Sequence, residues 1–74
     1  MIMNNNGLPI FEKRLKMVVA DSNLYLYEFA KEIGITYEAL RKYLKGTRVP
    51  TIVTLKKICE TFDISADWLL GLYE

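Results

Sequence analysis

The stretch Phe29-Ala30-Lys31-Glu32-Ile33-Gly34-Ile35-Thr36-Tyr37-Glu38-Ala39-Leu40-Arg41-Lys42-Tyr43 sets two helical patterns three residues apart. The first runs from about Leu26 to Ile33, with Phe29, Ala30 and Ile33 on one face. Gly34 supplies the left-handed conformation that ends a helix at low steric cost. Thr36 is a good N-cap, and Glu38 in the next turn suits the positive end of the helix dipole. The second pattern then extends from Tyr37 to Lys45 and stops at Gly46. A joint of only Gly34-Ile35-Thr36 between two helices is the mark of a helix-turn-helix.

Upstream, Phe11, Leu15 and Val18 recur at i, i+4 and i+7 behind Pro9, which suits an early helix position. Asp21-Ser22-Asn23 competes for backbone hydrogen bonds, so the spacing predicts helix one over about Pro9 to Ala20. Residues 1–8, with Asn4-Asn5-Asn6-Gly7, read as a flexible N-terminal arm, alternatively one that reaches into a groove. Downstream, Thr51 caps a fourth helix whose inward stripe is Leu55, Ile58, Cys59 and Phe62. Ser65 caps a fifth that ends at Gly71. The expectation is an all-α chain, with residues 9–74 forming one domain of five short helices.

Composition agrees. A chain of 74 residues holds one domain, and 51% apolar residues suffice for its core. The abundance of Leu, Ile and Phe at a net charge of +1 argues against disorder. One cysteine and no histidine exclude a disulfide framework and a Cys/His metal site, so no metal is expected. No apolar run approaches a membrane span and no secretory signal opens the chain, so a cytoplasmic protein without membrane contact is expected. An enzyme is disfavoured by inventory. Histidine, the commonest general base, is absent, and Ser22 and Ser65 lack a neighbouring base. Glu28 and Glu32, with Lys31 between them, read as a solvated face. No catalytic residue, cofactor or small-molecule ligand is expected.

Charge is divided along the chain. Residues 1–57 carry all ten Lys and Arg against five acids, or +5; residues 58–74 carry four acids and no base, or −4. The excess is densest where Arg41, Lys42, Lys45, Arg48, Lys56 and Lys57 meet only Glu38, a footprint for a polyanion. On helix three, Leu40 and Tyr43 point inward together, leaving Tyr37, Glu38, Arg41, Lys42 and Lys45 on the other face. A B-DNA major groove, about 12 Å wide, admits one α-helix. Arg41 and Lys42 suit the guanine O6 and N7 acceptors, and Glu38 suits a cytosine amine. Tyr37 suits either a sugar-phosphate or a thymine methyl. Gly46-Thr47-Arg48-Val49 offers backbone N–H groups and Arg48 to phosphates.

These residues resemble the phage-repressor and Cro-type helix-turn-helix family, also called the XRE family. Residues 29–36 are similar to its "LAEKLGVS" segment, and Gly46-Thr47-Arg48-Val49-Pro50-Thr51 resembles "GKRNPS". Residues 55–59 and 64–71 resemble "LLKIAKALGVSLDELLG", so the likeness covers about Phe11 to Gly71. The resemblance implies a five-helix lambda-repressor-like domain whose third helix reads DNA. It also implies a transcriptional repressor of bacterial or phage origin that binds a near-palindromic operator in double-stranded DNA as a homodimer. By position, base reading falls on Thr36, Tyr37, Glu38, Arg41 and Lys42, with Lys45 along the same edge and loop phosphate contacts at Gly46, Thr47 and Arg48.

Some positions differ from the family. Tyr25 and Leu26 stand where Ser-Gln often opens helix two, so Asn23 or Ser22 is expected to cap it and Tyr27 to offer a phosphate hydroxyl. Leu44 replaces a usual Glu, and either widens the core face or meets a partner. Cys59 stands where Ala is common and reads as a small buried hydrophobe. Trp68, Leu72 and Tyr73 crowd the C-terminus and either form a symmetric dimer contact or cap the domain. A protein-interaction module, such as an antitoxin or an anti-repressor target using Leu26, Tyr37, Tyr43 and Leu44, is the alternative function.

Overall fold

In the computed structural model, which describes residues 8–72, Pro9 opens a helix that no side chain caps. This helix, α1 (Pro9–Ser22), turns Phe11, Leu15 and Val18 inward on a single stripe. It is followed by α2 (Leu26–Glu32), α3 (Tyr37–Lys45), α4 (Ile52–Phe62) and α5 (Ala66–Leu70). The described residues contain no strand, as the all-α expectation requires. The N-terminal arm expected over residues 1–8 lies outside the described residues except for Leu8, and Tyr73 also lies outside them.

The first helix runs two residues beyond the predicted Ala20. Ser22 does not break it, because its hydroxyl donates back to the Val19 carbonyl at 2.7 Å. The stop falls instead on Asn23, which takes the left-handed conformation at φ 60°. Nor does Asn23 or Ser22 cap α2. The Ser22 hydroxyl accepts from the Leu24 N–H at 3.1 Å, and the Glu28 carboxylate accepts from the Tyr25 N–H at 2.9 Å. Glu28 thus satisfies a free donor at the start of α2, a structural task beyond the solvated face expected of it.

The turn between α2 and α3 is built as the sequence predicts. Gly34 has φ +74°, and the Ile35 N–H donates to the Ala30 carbonyl at 3.0 Å, closing α2. The Thr36 hydroxyl then accepts from the Ala39 N–H at 3.0 Å, opening α3. Ile33, buried, and Ile35, half-buried, pin this turn to the core, so the angle between the two helices is set by packing.

One core joins all five helices. Phe11, Leu15, Phe29, Leu40, Ile58 and Leu69 are each at most 1% exposed, and every helix supplies at least one of them. The Phe29 and Phe62 rings stack with centroids 4.5 Å apart, tying α2 to α4. α1 packs against both α3 and α5, so it backs the α2–α3 pair from behind. Leu55, Cys59 and Phe62 line the core as expected, and Leu44 joins them, half-buried, which favours the core reading of that residue. Burial and the nearby Glu60 carboxylate push the Cys59 thiol up, which favours its protonated form. No helix among the described residues is long and apolar enough to cross a membrane.

Candidate nucleic-acid interface

At 100° per residue, the side chains of Tyr37, Arg41, Lys45, Glu38 and Lys42 span about 140° of the α3 circumference. Leu40 and Tyr43 occupy the opposite arc and are buried. All five outward residues, and Thr36 before them, are exposed. With nine residues, α3 is about 13 Å long, and its body is about as wide as a DNA major groove. The Arg41 guanidinium lies over the Tyr37 ring, 5.8 Å from its centroid, which gives the arginine a preferred direction along the helix edge.

Cations on this side are available. Among the described residues, Lys42, Lys45 and Arg48 make no ion pair or hydrogen bond through their side chains. Lys56 differs, because its ammonium pairs with Glu60 at 2.6 Å and holds that carboxyl below its usual range. The free basic set is therefore narrower than the sequence suggests.

The loop after α3 departs from expectation in one respect. The Gly46 N–H donates to the Tyr43 carbonyl at 3.3 Å and the Thr47 N–H to the Lys42 carbonyl at 3.1 Å, completing the helix end. The Thr47 hydroxyl also reaches the Lys42 carbonyl, at 3.4 Å. These groups are engaged within the chain, so the expected backbone donation from Gly46 and Thr47 to a phosphate is not available as such. The N–H groups of Arg48 and Val49 have no partner among the described residues. Gly46 is favoured by its backbone, and a side chain there would also displace a flexible neighbour. Its φ is +80°, and a Cβ there would come within 2.2 Å of a Glu12 carboxylate oxygen from α1.

Tyr27 is exposed on the same side, at the start of α2, as its expected role requires. It stacks on Tyr25 with centroids 5.9 Å apart and planes within 5°. Tyr25, Leu26, Tyr27 and Tyr37 line one open cleft between the starts of α2 and α3. Sequence reasoning saw Tyr25 only as a lost cap, since neither its spacing nor its neighbours told that it would turn outward.

The C-terminal residues are placed less simply. Trp68 is half-buried against the core, and its carbonyl accepts a hydrogen bond from Arg14, whose guanidinium stands 5.1 Å from the indole centroid. Leu72 is 70% exposed. Of the residues named for the alternative interaction module, Tyr43 is buried and Leu26 and Leu44 are half-buried, so only Tyr37 is presented freely. Ile52 and Val53, at 84% and 77%, are more exposed than any of these and were missed. Ile52 lies one turn before the inward Leu55, so periodicity alone would send it to the core. No group of His, Cys, Asp and Glu among the described residues is arranged to hold a metal.

Residues 20–69 match the helix-turn-helix family, a span running from the end of α1 into α5. The chain is also similar to the cryptic phage CTXphi transcriptional repressor RstR of Vibrio cholerae serotype O1, with 41% identity over 44 residues. That alignment takes in 60% of this chain and 39% of the repressor's length, so the chain spans well under half of that relative. No solved structure matches the chain. The family match covers most of the chain and includes both helices and the turn between them: the protein belongs to the phage-repressor and Cro-type helix-turn-helix family.

Proposed function

We propose that this protein is a sequence-specific, double-stranded DNA-binding transcription regulator, a repressor of bacterial or phage genes that inserts α3 into the major groove. The observation that carries this reading is the outward face of α3, where exposed Tyr37, Glu38, Arg41 and Lys42 stand together on a helix fixed from behind by a dry core. Thr36, Tyr37, Glu38, Arg41 and Lys42 read base edges. Lys45, Arg48 and the Tyr27 hydroxyl hold phosphates, aided by the free N–H groups of Arg48 and Val49 rather than those of Gly46 and Thr47. The similarity to a protein named as a phage transcriptional repressor supports the same assignment.

A single α3 covers too few base pairs to specify a site, so the protein acts as a homodimer on a near-palindromic operator. Leu72, with Trp68 and Tyr73, supplies the contact between copies at the acidic end, away from the basic face. Selection from a random duplex pool at two salt concentrations tests the whole reading. The expected product is a repeated half-site with centres about 10–10.5 base pairs apart. Binding that is strongly salt-sensitive but enriches no sequence would reduce the basic face to a phosphate tracker. A chain that retains no duplex at low salt would overturn the proposal.

A further inference from the structure

The cleft lined by Tyr25, Leu26, Tyr27 and Tyr37 is tied to the core through Leu26, whereas its three tyrosines lie on the surface. The three tyrosines are 71%, 62% and 45% exposed, and none of their hydroxyls has a hydrogen-bond partner among the described residues. Four apolar or aromatic side chains gathered beside the exposed Arg41 and Lys42 invite a ligand that is anionic overall but carries an apolar group locally. Duplex DNA has one such group in the major groove, the C5-methyl of thymine. It projects beside the base edges that Arg41 and Lys42 address.

We infer that this cleft is a thymine-methyl pocket that sets specificity at the outer end of each half-site, with Tyr37 and Leu26 as its reading surface. The inference rests on the proposed reading of α3 as a groove-binding helix. Three features favour it. Tyr37 is the first residue of α3, where a recognition helix comes closest to base edges. Its ring is steadied by the Arg41 guanidinium at 5.8 Å, so it offers a fixed apolar face rather than a mobile one. The Tyr25 and Tyr27 rings, stacked 5.9 Å apart, form a second wall beside half-buried Leu26, and their hydroxyls extend the site toward the flanking phosphate. A cytosine or guanine at that position would leave the apolar cleft against a polar edge.

The test removes one methyl group at a time. Once the operator is selected, each thymine in turn is replaced by deoxyuridine, which keeps every hydrogen bond and deletes only the C5-methyl. For the unmodified protein, affinity is expected to fall about fourfold at one thymine in each half-site, the loss that burying a single methyl group implies. In Tyr37→Ser, thymine and uracil at that position should bind equally, with the variant's helical circular dichroism and melting unchanged. Because the side chain is exposed, that substitution leaves the core intact; Leu26→Ala is a second variant expected to shrink the same discrimination. Operator binding that no single methyl deletion changes by twofold would overturn the pocket while leaving the regulator reading in place. A drop in affinity for Tyr37→Phe without any methyl dependence would also overturn it, assigning the tyrosines to phosphate. Failure to select any operator would instead strike the reading beneath it.

Discussion

Arginine and lysine appear at both ends of the bundle, yet the two ends use them differently. Around α3, Arg41, Lys42, Lys45 and Arg48 are exposed and make no ion pair among the described residues. Elsewhere, Arg14 bonds the Trp68 carbonyl and covers the indole, while Lys56 pairs with Glu60. The difference follows from what lies within reach. Acidic residues are concentrated after position 57, and the outward face of α3 holds only Glu38. Cations near α3 therefore remain open to an outside polyanion, whereas Arg14 serves cohesion. Charge counts along the sequence cannot separate these two uses; position in the fold does.

The severest way to break the contrast is to remove what both ends share. Phe29→Ala deletes a fully buried ring stacked on Phe62 and should destabilise by about 3–5 kcal/mol, most of the stability of a domain this small. Far-UV circular dichroism is expected to show a largely unfolded chain with both DNA binding and cohesion gone. Retention of a cooperative melt near that of the unmodified protein would show that the core is not continuous across α2 and α4.

Two substitutions of similar chemistry then pull the ends apart. Arg41→Ala with Lys42→Ala should cost roughly 1–3 kcal/mol per base contact in operator affinity. The urea midpoint should hardly move, because both side chains are exposed. Arg14→Ala should do the reverse, lowering unfolding free energy by about 1–3 kcal/mol through the lost charged hydrogen bond and ring contact. Its operator affinity, extrapolated to the fully folded fraction, should be unchanged. Equal effects of the two changes on both readouts would erase the distinction.

Gly46→Ala sharpens the boundary between the regions. It forces a side chain into a left-handed residue and pushes the flexible Glu12 carboxylate aside, for a cost of about 1–2 kcal/mol in a thermal or urea melt. The smallest effect belongs to Lys56–Glu60. Its carboxyl is held below the usual range, so the pair contributes above that range and loses its contribution as pH falls through the lowered value. Because both groups are solvent-exposed, Lys56→Ala should leave the midpoint nearly constant, and added salt should remove the remaining difference. A pronounced shift of the acid unfolding limb in that variant would mean the pair is less screened than its exposure implies.

The helix order, the Gly34 turn, the Thr36, Thr51 and Ser65 caps and the ten-residue core were legible because each depends on local chemistry or on helical periodicity. What escaped depends on choices among equivalent local partners or on how separate helices meet. The availability of the Gly46 and Thr47 donors turns on whether α3 closes through them, which spacing does not encode. Glu28 as a backbone partner of Tyr25, and Asn23 as a left-handed stop, are choices among several polar residues able to do the same work. The tyrosine cleft requires two helix starts to meet, and Ile52 points away from a core that periodicity alone would have it join.

Arg14 and Trp68 lie 54 positions apart, and α1 rests on α5. During synthesis the first helix leaves the ribosome with Phe11 and Leu15 uncovered, and their burial is complete only once the segment around Leu69 has emerged. The contacts between α2 and α3 are short in sequence and can begin to form before then. A nascent chain cut short before α5 would thus carry a DNA-facing surface on an unfinished body with an open apolar stripe, a form that proteases and chaperones are suited to remove. The contact between the first helix and the last makes completion of this segment a condition for persistence of the repressor fold in the cell.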